Sequence, residues 1–229
     1  MMNLYSIILE NAVQNLMYKI KIDNKDTWRN KLECDLLSEL VLCILSSNIK
    51  YEVALLYTIK LKDEEYIKKA INNELEVKQL YKCLLEPISI NENLIRYRFP
   101  KSKSEQLFKT IKNIYGNKRT IKEILINAET SSEARNSLIS ICVGMGYKQS
   151  SMFLRNIGFC FDLAIIDTHI IDYLKLVDVL PSEIGDISKS TYLKIESLYS
   201  KYAKSKQFDI NKLDVAIWNV MKVYKTEFV

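Results

Sequence analysis

The chain has 229 residues, room for one or two domains at about 150 residues each. It holds only five glycines and three prolines, where average usage would supply about 27 of the two together. So few turn formers exclude β-sandwiches and barrels, collagen-like repeats and flexible linkers, and leave long helices with short joints. Hydrophobic residues make up 48% of the chain, enough for a full core and too many for a disordered polymer. The net charge of +5 permits nucleic-acid binding without requiring it.

The longest strongly apolar run, LVLCIL at 40–45, falls far short of the ~20 residues of a membrane span. The N-terminal MMNLYSIILENAV has no basic leader and no small-residue cleavage site, so it reads as a helix rather than a signal peptide. The five cysteines are an odd number without a C-x-x-C pair. They read as reduced, mostly buried thiols of a cytoplasmic protein. A single histidine and unpaired cysteines argue against a zinc or iron–sulfur site.

In chain order, apolar residues at helical spacing predict a helix over 2–21 and a second from Asp26 or Thr27 to Leu45, the latter with Leu32, Leu36, Leu37, Leu40, Val41 and Ile44 inward. Further helices are expected at 50–61 and 63–85. The longest non-periodic stretch, PISINENLIRYRFP, is a loop bracketed by Pro87 and Pro100. Helices resume at 102–114, 119–127 and 131–141, then after a glycine turn to 157. Residues 163–166, LAII, predict a short extended link. Helices follow at 167–177, 187–205 and 210–224. The expected fold class is all-α.

Charge is unevenly spread. Residues 96–122 hold nine basic side chains and one acidic, Glu105. The block interleaves Lys101, Lys103 and their neighbours with Tyr97, Phe99, Phe108 and Tyr115. That pattern suits a phosphate backbone and its bases, and equally a solvated helix face over core aromatics.

Gly144, Gly146 and Gly158 fall within fifteen residues. The text SLISICVGMGYKQSSMFLRNIGF reads as helix, the tight turn V-G-M-G, then helix. Glycines at both ends of such a turn allow positive φ and close approach of another backbone. The N–H groups opening the second helix form an anion site. The pattern fits a helix-hairpin-helix of sequence-independent DNA binding, or an ordinary helical hairpin. Lys148 sits two residues after Gly146, in the first turn of the second helix. A cation there opposes the helix dipole, which favours the neutral, nucleophilic amine; a phosphate contact is the alternative. Nineteen residues on, Asp167 of I-I-D-T-H stands at an expected helix N-cap, where a capping Asp is common.

VGMGYK followed by IIDTH resembles the helix-hairpin-helix DNA glycosylase superfamily. The wider GMGYKQSSMFLRNIGF…LAIIDTHII is similar to the archaeal-type, or second, family of 8-oxoguanine DNA glycosylase/AP lyases. SELVLCILSSN, RYRF and LDVAIW extend the resemblance over nearly the whole chain. The resemblance implies two helical lobes, one over 28–160 with the hairpin at about 131–157, the other combining 1–27 with 161–229. It implies removal of 8-oxoguanine from duplex DNA by lysine imine chemistry and strand cleavage by β-elimination. Lys148 would be the nucleophile and Asp167 the carboxylate facing the cationic sugar. Gly144 and Gly146 would hold a phosphate, and His169 a second one. Phe99 and Trp218 would sandwich the flipped base, and Asn48 would fill the gap it leaves. No redox or organic cofactor is implied, though a monovalent cation could sit on the hairpin carbonyls. The resemblance also implies a monomer acting on duplex DNA at the nucleoid. One departure stands out. Family members typically end in a lysine that helps read the base, whereas this chain ends KTEFV, so Val229 supplies the terminal carboxylate. Rival readings are a glycosylase or lyase for another lesion and a non-catalytic DNA-binding hairpin module.

Overall fold

The computed structural model describes residues 4–21, 26–90 and 92–228. In chain order its helices are α1 (Leu4–Met17), α2 (Glu33–Leu45), α3 (Tyr51–Asp63), α4 (Tyr66–Ile71) and α5 (Val77–Leu85). After the strands β1 (Ile88–Ile90) and β2 (Asn93–Ile95) come α6 (Pro100–Tyr115), α7 (Ile121–Ile126), α8 (Ser131–Ile141), α9 (Tyr147–Asn156), α10 (Thr168–Leu176), α11 (Lys189–Ser205) and α12 (Ile210–Phe228). The fold is all-α apart from the one small antiparallel pair among the described residues. No helix among them is long and apolar enough to cross a membrane. No cysteine forms a disulfide, and Cys43, Cys83, Cys142 and Cys160 are buried. The chain divides into two compact units, Asp26–Phe159 and Met1–Lys25 with Cys160–Val229.

The Asp26–Phe159 unit is built around α2. Residues Leu40 to Leu45 are all buried, which marks a helix enclosed on every side; α3, α4, α6, α7 and α9 pack on it. The helix expected from Asp26 or Thr27 is broken at its start. Asp26 takes φ 67, Thr27–Asn30 makes one 3-10 turn, and Leu32 is extended ahead of α2. Tertiary contacts explain the break. Asp26 N donates to Gly158 O at 2.7 Å, Thr27 Oγ1 donates to Ile157 O at 3.1 Å, and buried Trp28 meets Phe159 at 5.3 Å between ring centroids. Leu32, expected inward, is 66% exposed.

The segment 63–85 forms two helices rather than one. Asn73 adopts φ 60, a left-handed conformation its short amide tolerates, and α5 restarts with Gln79 Oε1 accepting from Glu76 N at 2.9 Å. The expected 87–100 loop contains the β1–β2 hairpin, with Ile88 opposite Ile95 and Ser89 opposite Leu94. Three-residue strands are too short for alternation to reveal. Two tyrosines hold this segment. Tyr57 Oη donates to Glu86 O at 2.9 Å and accepts from Tyr97 N at 3.1 Å. Tyr97 Oη donates to Leu45 O at 2.6 Å.

In the other unit α1 packs on α12, and α12 on α10. Leu9, Val13 and Met17 form the buried stripe of α1 at four-residue spacing, while Ile7 and Ile8 stay exposed. Tyr202 Oη donates to Glu10 Oε1 at 2.9 Å and pairs with Tyr173 Oη at 2.8 Å, joining α1, α11 and α10 through buried phenols.

Glu33 does comparable work in the Asp26–Phe159 unit. From the first turn of α2 its carboxylate accepts from Tyr115 Oη at 2.8 Å, Ile121 N at 2.6 Å and Lys122 N at 3.3 Å. It thereby satisfies the open amides at the start of α7. Burial and the Glu33 charge push the Tyr115 phenol pKa well up. Glu33→Ala should therefore destabilise the protein by about 2–3 kcal/mol, the scale of hydrogen bonds to a charged group. A urea-melting midpoint unchanged from wild type would show that water replaces these bonds.

Candidate active site

The hairpin α8–turn–α9 is assembled by its caps. Thr130 Oγ1 accepts from Glu133 N at 3.1 Å to open α8. Helix α8 stops at Ile141, and Cys142 turns extended, with φ −92 and ψ 113. Gly144 takes φ +83, and a Cβ there would overlap the Gln106 carboxamide. Gly146 is the N-cap of α9 with φ −105, so positive φ is required at one end of the turn rather than at both. Gln149 Oε1 accepts from Gly146 N at 3.3 Å. Lys148 then stands half-buried as the second residue of α9.

One face of α6 holds this turn in place. Thr110 Oγ1 accepts from Val143 N at 2.9 Å, Asn113 Nδ2 donates to Ile141 O at 2.8 Å, and Gln106 lies against Gly144. The three sit at i, i+4 and i+7, one helical stripe. The sequence does not single them out, because polar residues at helical spacing among lysines look the same whether they face solvent or a neighbouring turn. Arg135, buried on α8, donates to Ser151 Oγ at 3.2 Å and covers the Tyr147 ring at 4.9 Å. It ties the first turn of α9 back onto α8.

Beside α9, Glu39 of α2 accepts from Asn156 Nδ2 at 2.8 Å and from Cys43 Sγ at 3.6 Å. Burial, with the Glu39 charge adding to it, pushes the Cys43 thiol pKa well up, while the charges of Arg155 and Lys148 pull the other way.

Of the other expected site residues in this unit, Asn48 is exposed with φ 60 in the turn after α2. Phe99 caps the start of α6, half-buried, with the Arg98 guanidinium 4.9 Å from its ring centroid. Lys101 is exposed. Lys103, expected beside it on phosphate, differs. It is 6% exposed on the core face of α6, and burial lowers its pKa.

Asp167, His169 and Trp218 belong to the other unit. Asp167 is the N-cap of α10, and its Oδ1 accepts from Ile170 N at 2.9 Å. His169, in the first turn of α10, meets Trp218 of α12 edge to face at 5.9 Å. Lys222 Nζ lies 4.9 Å from the Trp218 ring centroid, and Trp218 keeps 37% of its surface exposed. Val229 lies outside the described residues. Among the described residues no three His, Cys, Asp or Glu side chains are placed to hold a metal ion.

The two glycines of the turn separate stability from approach. Gly144→Ala should cost about 1–3 kcal/mol of stability, the scale of a side chain forced to positive φ. At Gly146 φ is negative and an added methyl meets only Gln149 Oε1 at 3.6 Å, so Gly146→Ala should cost no more than about 1 kcal/mol, the scale of a poorer N-cap residue. Paired denaturation curves check both, and equal losses would contradict the asymmetry.

Comparison with known proteins gives a consistent picture. The family described as 8-oxoguanine DNA glycosylase matches residues 18–208. The 8-oxoguanine DNA glycosylase/AP lyase of Sulfolobus acidocaldarius is 38% identical over 181 residues, covering 79% of this chain and 78% of that protein. The protein of the same description from Saccharolobus solfataricus is 30% identical over 199 residues, covering 86% and 83%. Among solved structures, the Methanocaldococcus jannaschii 8-oxoguanine glycosylase/lyase in complex with 15mer DNA containing 8-oxoguanine shares the fold, with a TM-score of 0.67 at 24% identity over 96% of this chain and 92% of that one.

Proposed function

The chain belongs to the 8-oxoguanine DNA glycosylase family, and we propose that it excises 8-oxoguanine from duplex DNA with Lys148 as nucleophile and then cleaves the strand as an AP lyase. The observation that carries the site assignment is the placement of Lys148 in the first turn of α9, directly after the Gly144–Gly146 turn. An amine there stands beside backbone N–H groups that can take the phosphate of the lesion nucleotide.

The lesion base must leave the helical stack before any side chain can reach C1′. The Lys148 amine lone pair then forms the bond to C1′ while the glycosidic electron pair departs with the base. Opening of the sugar C1′–O4′ bond converts the adduct to a protonated imine. Loss of a C2′ proton expels the 3′ phosphate oxygen, which is β-elimination, and water releases the lysine. Asp167 supplies negative charge to the cationic sugar during base departure, the electrostatic role that an ionised carboxylate performs best in a water-poor site. One carboxylate oxygen stays engaged as the α10 cap, which fixes its orientation. This chemistry uses no organic or redox cofactor. A monovalent cation, if bound, would sit on hairpin carbonyls, the donor type that replaces the hydration shell of such ions.

In one unit His169 takes a phosphate and Trp218, already in contact with it, stacks on the flipped base; in the other Phe99 stacks on the base and Asn48 fills the gap it leaves. The exposed cations Arg96, Arg98, Lys101 and Lys109 carry the phosphate backbone. Lys103 is withdrawn from that role by its burial.

Borohydride trapping tests the nucleophile. Wild-type protein should be trapped on duplexes containing 8-oxoguanine or an abasic site and not on undamaged duplex. Lys148→Gln should lose trapping and strand cleavage yet bind lesion DNA nearly as well. Full trapping by Lys148→Gln would place the nucleophile elsewhere.

Asp167→Asn retains a capping side chain, so its fold should hold while excision slows by about a hundredfold or more, the scale of losing one electrostatic stabiliser. Single-turnover excision at a wild-type rate would reduce Asp167 to a cap. Affinity for lesion duplex should also fall steeply between 50 and 200 mM salt, by at least about tenfold. Lys101→Glu should weaken binding to damaged and undamaged duplex alike, and a salt-independent affinity would remove the basic block from the interface.

A further inference from the structure

The residues just before Asp167 have no helix or strand to satisfy them, yet Ala164, Ile165 and Ile166 are all buried. Their polar groups are paired instead by two side chains from elsewhere in the unit. Tyr192 Oη of α11 donates to Ala164 O at 3.0 Å and accepts from Ile166 N at 3.1 Å. Asp214 Oδ2 of α12 accepts from Ile165 N at 3.0 Å, and Tyr199 Oη donates to its other oxygen. Asp214 is 4% exposed, Tyr192 5% and Tyr199 fully buried, so water does not compete for these bonds.

Helix α12 grips the other side of Asp167 as well. Trp218 lies one turn beyond Asp214, on the same face of the helix, and contacts His169. One helix face thus fixes residue 165 and residue 169, two positions before and two after Asp167. A capping carboxylate placed by its own helix alone could swing with the preceding chain. Here that chain is held at three successive residues.

We propose that Asp214 and Tyr192 are positioning residues for Asp167, setting the direction from which its carboxylate meets the substrate. The inference rests on the reading of Asp167 as the carboxylate that stabilises the cationic sugar. A misplacement of about 1 Å in a reacting group can cost about a hundredfold in rate, so the effect belongs to the chemical step and not to binding.

The test is single-turnover excision from an 8-oxoguanine duplex by Tyr192→Phe and Asp214→Asn, each also made in an Asp167→Asn background. Tyr192→Phe keeps the ring and its packing, so it reports even if Asp214→Asn folds poorly. Each single variant should slow excision by about tenfold or more with lesion-duplex Kd within about twofold of wild type. In the Asp167→Asn background neither should slow it further, because residues acting through one group are not additive. A merely structural role would give the same slowing in both backgrounds and would overturn the proposal. So would wild-type excision by both single variants alongside a slow Asp167→Asn. Wild-type excision by Asp167→Asn itself would instead remove the reading of Asp167, and this inference with it.

Discussion

Every buried amide and carbonyl in an irregular joint has to find a partner, because an unpaired one forfeits its hydrogen bonds to water. A chain with few glycines and prolines meets this demand in a particular way. Its helices satisfy themselves, and buried joints between them are paired by side chains reaching from elsewhere in the same unit. Glu33 closes the start of α7, Thr110 and Asn113 hold the hairpin turn, and Tyr57 and Tyr97 pin the β-hairpin. Asp214 and Tyr192 hold the link before Asp167. Lys148 and Asp167, the residues proposed to do the chemistry, stand beside two of these joints, so the same hydrogen bonds that stabilise the fold hold the backbone next to them.

Helix α6 shows how one element serves several purposes. Its buried face, with Leu107, Ile111 and Ile114, belongs to the core of its unit. A second stripe, Gln106, Thr110 and Asn113, supports the hairpin. A third face carries exposed Lys101 and Lys109 to solvent. A helix can do this because its 3.6-residue repeat separates three faces at full side-chain reach. The basic surface and the turn ahead of Lys148 are therefore carried on one rigid rod within their unit.

Membership of the 8-oxoguanine DNA glycosylase family gives these local devices a common purpose. Imine chemistry needs an amine at C1′, a phosphate held nearby and negative charge toward the cationic sugar. In the mechanism proposed above, the hairpin supplies the first two from adjacent residues of one turn. The carboxylate of that proposal, Asp167, stands at a helix N-cap, a position that orients an aspartate through its own backbone.

Sequence alone determined the helical class, the G-x-G turn, Lys148 in the first turn after it and Asp167 at a helix start. Each is written in local chemistry, namely periodicity, capping residues and spacing within a few positions. The tertiary structure decided what depends on distant partners. It split the segments at 26–45 and 63–85, where contacts such as Thr27 with Ile157 and a left-handed Asn73 outweigh helical periodicity. It required positive φ of Gly144 and not of Gly146, and it turned Lys103 inward. It paired Thr110 with Val143 across 33 residues and Asp214 with Ile165 across 49. Such pairings leave no local trace, because a threonine or aspartate on a helix has the same sequence signature whether it faces water or a buried amide. Which amide is buried is known only once the helices have packed.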